Sequence, residues 1–435
     1  MTEQVHVGID IGTTSAKICA RNGENVILEF KKIYEGDNSD AAGLQNPKII
    51  IQTVLDLLER TKSNLESRNL KISNIWTCGQ MHGIVMWKQR QNEIDLGIQN
   101  GKTLTISPLY NWTYSSTELP AFLKTIPKWE CGDLHPGFGL VTLAFLNYSN
   151  PEFLTNFIHC GTIMDLFISI LTQNPDPLIS HHNAHSWGYC TENATWQSEI
   201  LDFLPKTLKL PDINSSSEVS GTWHGAKCHV ASGDLQASVA SLDYYENTAY
   251  VILGTSAQLC CLIQTSEKNA TVIPATVVRL PFSTSKTLVA ACAMNGGNAL
   301  EATLKMNSPE VYSSNRLQEL LNQLDKSAPA MPPNLRIDPI FIPERGSSKT
   351  FSISGTSDDP LQLLEATHQG IIRNLFELFP IPLLKSLKIR RVALVGSAQS
   401  PRFRRHLEEA CGSNNFELLV SSSPISTPLG ATKFF

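Results

Sequence analysis

The order of apolar and polar positions divides the chain into alternating strand-like and helix-like stretches. Residues 5–9 form an apolar β run, residues 12–15 a turn of Gly, Thr and Ser, and residues 16–20 and 26–30 two more β runs. Apolar runs joined by short Gly-containing turns predict hairpins. Residues 47–65 then place Ile50, Val54, Leu57 and Leu58 on one face, with Pro47 in the first turn, as in an amphipathic helix. Residues 72–77 suit a short buried strand, and strand–helix–strand at this spacing predicts α/β layering. Residues 132–171 read as mostly helical, 171–185 as a loop, and 227–237 as a strand and turn.

The β pattern restarts after residue 243. Residues 249–253, the turn 254–256 and residues 257–264 repeat the opening hairpin, and residues 286–294 add a strand. A turn at 295–298 leads into a helix from residue 299. Residues 361–379 carry an apolar stripe of Leu364, Ile371, Leu375 and Phe379. The strand 391–395, the turn 396–400, the helix 401–411 and the strand 416–420 follow. The restart divides the chain into two α/β domains, residues 1–242 and 243–435.

Composition narrows the function classes. The chain has 435 residues, 42% hydrophobic and 17% charged, with 35 basic residues against 40 acidic ones. That is too apolar for a disordered chain, and the net charge of -5 lacks the basic surplus that nucleic-acid binding requires. Ten cysteines are scattered without a C-x-x-C pair, the usage expected of reduced thiols. Residues 1–8 show no basic-then-apolar leader and no apolar run approaches a membrane span, so a soluble cytoplasmic protein is expected, with no nucleic-acid or membrane partner.

Chemistry enters through the two hairpin turns. I-D-I-G-T-T-S-A-K-I-C at 9–19 and I-L-G-T-S-A-Q-L-C at 252–260 echo each other. Glycine permits close backbone approach, and successive N–H groups with Thr/Ser hydroxyls form an anion cradle. Either turn alone is more often an ordinary hairpin turn. The pair, with Asp10 beside the first, points to a polyphosphate and to Mg²⁺ on Asp10. A third candidate, G-I-Q-N-G-K-T at 97–103, is one residue short of a P-loop and is not followed by a helical pattern. His181, His182 and His185 lack a Glu or Cys partner for a zinc site, and the arginines at 390–391 and 402–405 read as solvated faces.

Together with G-Q-M-H-G at 79–83, Gly233-Asp234, N-G-G-N at 295–298 and Gly396-Ser397-Ala398, these turns resemble the FGGY carbohydrate kinases from about residue 7 to 432. The G-T-I-M-D stretch at 161–165, N-A-H-S-W-G-Y at 183–189 and G-D-L-Q-A-S-V at 233–239 are most similar to the branch acting on sedoheptulose. The resemblance implies two ribonuclease-H-like domains of the actin/hexokinase/Hsp70 ATPase type with an interdomain cleft. It also implies ATP- and Mg²⁺-dependent phosphorylation of a small sugar, here the seven-carbon ketose on its terminal primary hydroxyl. Asp234 is then the general base. Gln80, Met81, His82 and Trp112 would bind the sugar. Gly12, Thr13, Thr14 and Ser15 would contact the terminal phosphates, Gly254, Thr255 and Ser256 would form the second loop, and Gly296, Gly297, Asn298, Gly396, Ser397 and Ala398 would complete the nucleotide site.

Two positions depart from the family. Its W-x-D segment is Trp112-Thr113-Tyr114 here, which exchanges a substrate-binding carboxylate for a neutral phenol. Ala398 adds a Cβ where many relatives carry glycine, which would restrict approach of the adenosine. Kinases for xylulose, ribulose or glycerol, and a weakly active sugar or nucleotide sensor on the same scaffold, are the competing expectations.

Overall fold

The computed structural model describes residues 3–35, 42–88, 105–174, 176–242, 246–267, 271–307, 309, 312–420 and 426–434. The P-loop-like stretch at 97–103 lies outside them. The chain forms two compact units, Met1–Leu242 with Ser426–Phe435, and Asp243–Ile425.

In the first unit, β1 (Glu3–Ile11), β2 (Ser15–Asn22) and β3 (Asn25–Ile33) form an antiparallel meander. Helix α1 (Pro47–Glu66) follows; Asn46 caps it by accepting the Lys48 N–H at 3.0 Å, and Pro47 occupies its first turn. Its buried face, from Ile50 to Leu65, joins Val5, Val7, Ile9 and Ile11 of β1 in one core. Strand β4 (Leu70–Gly79) pairs parallel with β1, and on its other side come β5 (Val219–Trp223), β6 (Ala226–His229) and the short β7 (Ser232–Gly233). The seven-stranded sheet runs β5-β6-β4-β1-β2-β3, with β7 beside β4. Helix α2 (Asp234–Ser241) leaves β7 directly.

The second unit repeats this order. β8 (Thr248–Leu253) and β9 (Ala257–Gln264) form the hairpin, β10 (Val278–Pro281) and β11 (Lys286–Ala293) extend it, and β12 (Arg391–Gly396) and β13 (Glu417–Val420) add parallel strands beyond β8. The six-stranded order is β10-β11-β9-β8-β12-β13. The helices Gly297–Asn307, Ser314–Lys326, Pro360–Leu378 and Pro401–Gly412 supply apolar faces to its core.

Two stretches differ from the sequence reading. Residues 171–185, expected as loop, contain the strand Leu178–Ser180 and the helix His181–Ser186. Ser180 caps that helix, and burial of His182, Asn183 and Ala184 supplies what its polar composition does not. The second domain was expected to run to residue 435, but the C-terminal helix Thr427–Ala431 packs on β1 and α2 of the first unit. Glycine makes this possible. A Cβ at Gly8 would lie 1.7 Å from the Pro428 carbonyl oxygen, and one at Gly430 would lie 1.8 Å from that of Ala237. Buried Arg21 fixes the helix by donating from Nη2 to the Thr432 carbonyl at 2.8 Å. Eight of the ten cysteines are buried, and Cys131 and Cys292 are half-buried. Among the described residues no helix is long and apolar enough to cross a membrane, and no group of three His, Cys, Asp or Glu is arranged to hold a metal.

Candidate active site

In the first unit three parallel strands end level with one another. Ile11 of β1 pairs with Gly79 of β4, and Gly79 pairs with Gly233 of β7. Gly79 has φ of +156°, and a Cβ there would sit 2.2 Å from the Ile11 carbonyl oxygen, so this closeness depends on glycine. Beyond these ends lie the 12–15 turn, the Gln80-Met81-His82 segment and Asp234, so the fold brings together residues up to 222 positions apart. Asp234 is the first residue of α2, with Gly233 as its N-cap.

The charges at these strand ends influence one another. Asp10 is buried, and hairpin register sets it opposite Lys17, whose Nζ donates to Asp10 Oδ2 at 2.9 Å. Burial pushes the Asp10 carboxyl up, against the pull of Lys17. Asp234 is pushed up to about 7, by burial first and by the Asp10 charge second, while the Leu235 N–H and Lys17 oppose the rise. Leu235 donates that N–H to Asp234 Oδ1 at 2.7 Å.

The first turn is braced through its carbonyls. Tyr34 Oη and Gln80 Nε2 donate to Gly12 O at 3.1 and 3.3 Å, Gln45 Nε2 donates to Thr13 O at 2.8 Å, and Tyr34 N–H donates to Thr14 O at 3.1 Å. The Gly12 N–H closes the turn on Ser15 O at 3.1 Å, and with the carbonyls engaged the N–H groups of Thr13 and Thr14 are the ones to offer an anion. Trp112 Nε1 donates to the Thr13 hydroxyl at 3.2 Å, which ties the proposed sugar side to this turn. Met81 is buried with its sulfur 2.9 Å from where a Gly233 Cβ would stand. His82 stacks on Phe138 with ring centroids 5.1 Å apart and meets the Ser186 carbonyl through Nδ1 at 2.9 Å, so Nδ1 carries the proton in the neutral ring. Tyr114, at the W-x-D departure, is buried edge-on to Tyr110 with centroids 4.9 Å apart. His182 and His185 pack against Phe434 and Trp129.

The sequence reading gave no role to Lys17, Tyr34 or Gln45. Lys17 had a usable signal, because a hairpin turning at 12–15 sets residue 17 against residue 10. Tyr34 and Gln45 reach the turn through tertiary packing and had none.

In the second unit the nucleotide candidates also gather at one sheet end. Gly254 donates its N–H to Ser256 O at 2.9 Å, Gly297 donates to Gly254 O at 2.9 Å, and Asn298 donates to Thr255 O at 3.1 Å. The second turn is therefore joined directly to the N-terminus of the helix Gly297–Asn307. A Cβ at Gly296 would lie 2.5 Å from the Ser256 carbonyl carbon. Strand pairing sets Gly396 beside Leu253, and its φ of +63° favours glycine. Ser397 is exposed, whereas Ala398 is fully buried, so its methyl packs in the core and adds no bulk to the exposed side of the turn.

These residues fit the groups expected of them. The Thr and Ser groups of the two glycine-containing turns suit phosphate oxygens, and a buried carboxylate within the field of a second suits a divalent cation. The model for the FGGY family of carbohydrate kinases, N-terminal domain, matches residues 5–239. The chain belongs to the FGGY family of carbohydrate kinases. Human sedoheptulokinase is 30% identical over 91% of this chain and 90% of its own, and mouse sedoheptulokinase is 29% identical with the same coverage. The crystal structure of xylulose kinase from Rhodospirillum rubrum shares the fold, with a TM-score of 0.78 and 14% identity over 99% of this chain and 89% of that one. The protein is thus a sugar kinase with the two-domain α/β ATPase-like fold of this family, whose activity implies ATP as phosphoryl donor.

Proposed function

We propose that this FGGY kinase phosphorylates sedoheptulose on its terminal primary hydroxyl, giving the 7-phosphate, with Asp234 as general base. The substrate reading is supported by the two curated sedoheptulokinases and by the 183–189 and 233–239 stretches. The mechanism is carried by one observation: a carboxylate heads α2 at the strand ends, within the field of Asp10 and Lys17.

The sugar hydroxyl attacks the γ-phosphorus, the bond from phosphorus to the ADP oxygen breaks, and Asp234 takes the hydroxyl proton. The Leu235 N–H holds the carboxylate through Oδ1 at 2.7 Å. Gln80, Met81, His82 and Trp112 hold the sugar, the indole against its C–H face. Thr13, Thr14 and Ser15 bind the terminal phosphates through N–H groups and hydroxyls, and Gly12, whose N–H goes to Ser15 O at 3.1 Å, permits their close approach. Thr255 and Ser256 bind phosphate in the second unit, on a turn shaped by Gly254, Gly296, Gly297 and Asn298, whose own N–H groups are engaged within it. Gly396 and Ser397 take the adenosine side, with Ala398 supporting that turn from the core. Asp10 would hold Mg²⁺, which when bound neutralises phosphate charge. Lys17 opposes the rise that burial imposes on the Asp10 carboxyl.

The test is ADP release with ATP and Mg²⁺ across sedoheptulose, xylulose, ribulose and glycerol. Highest kcat/KM with sedoheptulose is expected. A higher value with xylulose or another substrate would favour the second reading, a kinase for a related sugar or polyol, to which the missing W-x-D carboxylate at Tyr114 gives weight. Sugar or nucleotide binding without turnover would point to a sensor instead.

A further inference from the structure

Asn295, the first residue of N-G-G-N, has no part in the site above, yet it is almost completely buried and both polar atoms of its side chain are engaged. Its Oδ1 accepts the N–H groups of Phe341 and Ile342, each at 3.0 Å, and its Nδ2 donates to Ile342 O at 2.7 Å and Glu344 Oε1 at 2.8 Å. Glu344 is also buried. Its Oε1 accepts a second bond, from Asn374 Nδ2 at 2.9 Å, and its Oε2 accepts the Met294 N–H at 2.7 Å. One carboxylate therefore grips both residues that precede the 296–298 turn.

The grip continues into the turn. Asn298 Nδ2 donates to Met294 O at 3.0 Å, and Asn298 Oδ1 accepts the Gly296 N–H at 2.8 Å. The Gly297 and Asn298 N–H groups then bond the carbonyls of Gly254 and Thr255. Gly296 has no spare room against Ser256, so displacement of residues 294–295 moves the helix start and the second turn together.

We propose that Glu344 is a positioning residue for the nucleotide site: by holding Met294 and Asn295 it sets the geometry of the 296–298 turn and, through it, of the 254–256 turn. The inference rests on the reading of those turns as nucleotide-binding. A carboxylate suits the task because it is acceptor-only and three donors converge on it. Glutamine keeps the shape but turns N–H groups toward a donor, leaving a buried group unpaired.

The test is Glu344→Gln in the full chain, read by steady-state kinetics in both substrates and by amide exchange at residues 294–298. The expected result is a rise of about tenfold in KM for ATP, with KM for sugar and kcat within about twofold and exchange at 294–298 accelerated. Asn295→Ser cuts the same grip from the other side. It is expected to reproduce the ATP-selective rise and decides the matter if Glu344→Gln does not fold. Unchanged KM for ATP in a folded variant overturns the inference, as does an equal loss in both substrates, which marks a merely structural role. Wild-type protein that binds no ATP overturns the nucleotide reading and the inference with it.

Discussion

A carboxylate that takes a proton from an alcohol must be ionised when the alcohol arrives, and its surroundings set the pH at which that holds. For Asp234, burial and the Asp10 charge move this point up to about 7. We expect kcat/KM for the sugar to fall as pH drops below about 7, approaching tenfold per pH unit; a flat profile from pH 5 to 8 would remove Asp234 as the base. Asp234→Asn should fold and lose about 10²–10⁴-fold in kcat, measured as sugar-dependent ADP release. Wild-type turnover in that variant would reject the assignment. The same shift bears on stability. A carboxyl whose folded pKa is raised stabilises the fold most below its unfolded value, and that contribution is lost as pH rises through about 7. Asp165, buried and also pushed up to about 7 by burial, adds to this trend.

Helix α2 carries Asp234 and is itself backed by the C-terminal helix. Gly430 sits so close to Ala237 that any side chain there must push the two helices apart. Gly430→Ala is expected to cost about 1–3 kcal/mol, lowering the melting temperature by a few degrees, and to reduce kcat by tilting α2. A melting curve and activity matching wild type would show that the contact is slack. This contact also marks where the sequence stops being readable. The two hairpins, α1 and the strand 391–396 were plain, because apolar runs between Gly, Thr and Ser turns fix their own boundaries. Lys17 was half visible in the hairpin spacing. The helix His181–Ser186 was hidden, since its polar residues are made helical by packing. Nothing in residues 426–434 announces their partner, because the fit depends on the absence of side chains at Gly8 and Gly430, a property of surfaces that meet only in the fold.

Over the whole molecule, two units of like strand order are built from one chain, and the first is closed by residues that follow the second. Removing residues 426–435 strips buried Arg21 of its bonds to Thr432, at 2.5 Å to the hydroxyl and 2.8 Å to the carbonyl. Arg21 keeps its Nη1 bond to the Gly23 carbonyl at 2.6 Å, but each hydrogen bond lost from a charged group costs about 1.5–3 kcal/mol. The truncated chain should therefore lose the cooperative melting of the first unit along with its activity, as followed by calorimetry. A truncated enzyme that melts and turns over like the full chain would contradict this. The return of the C-terminal helix also sets an order on synthesis. A ribosome releases the first sheet early but delivers the piece that closes it only after the whole of Asp243–Ile425. The contiguous second unit can mature while the helix-binding face of the first stays uncovered until residues 426–434 have been made.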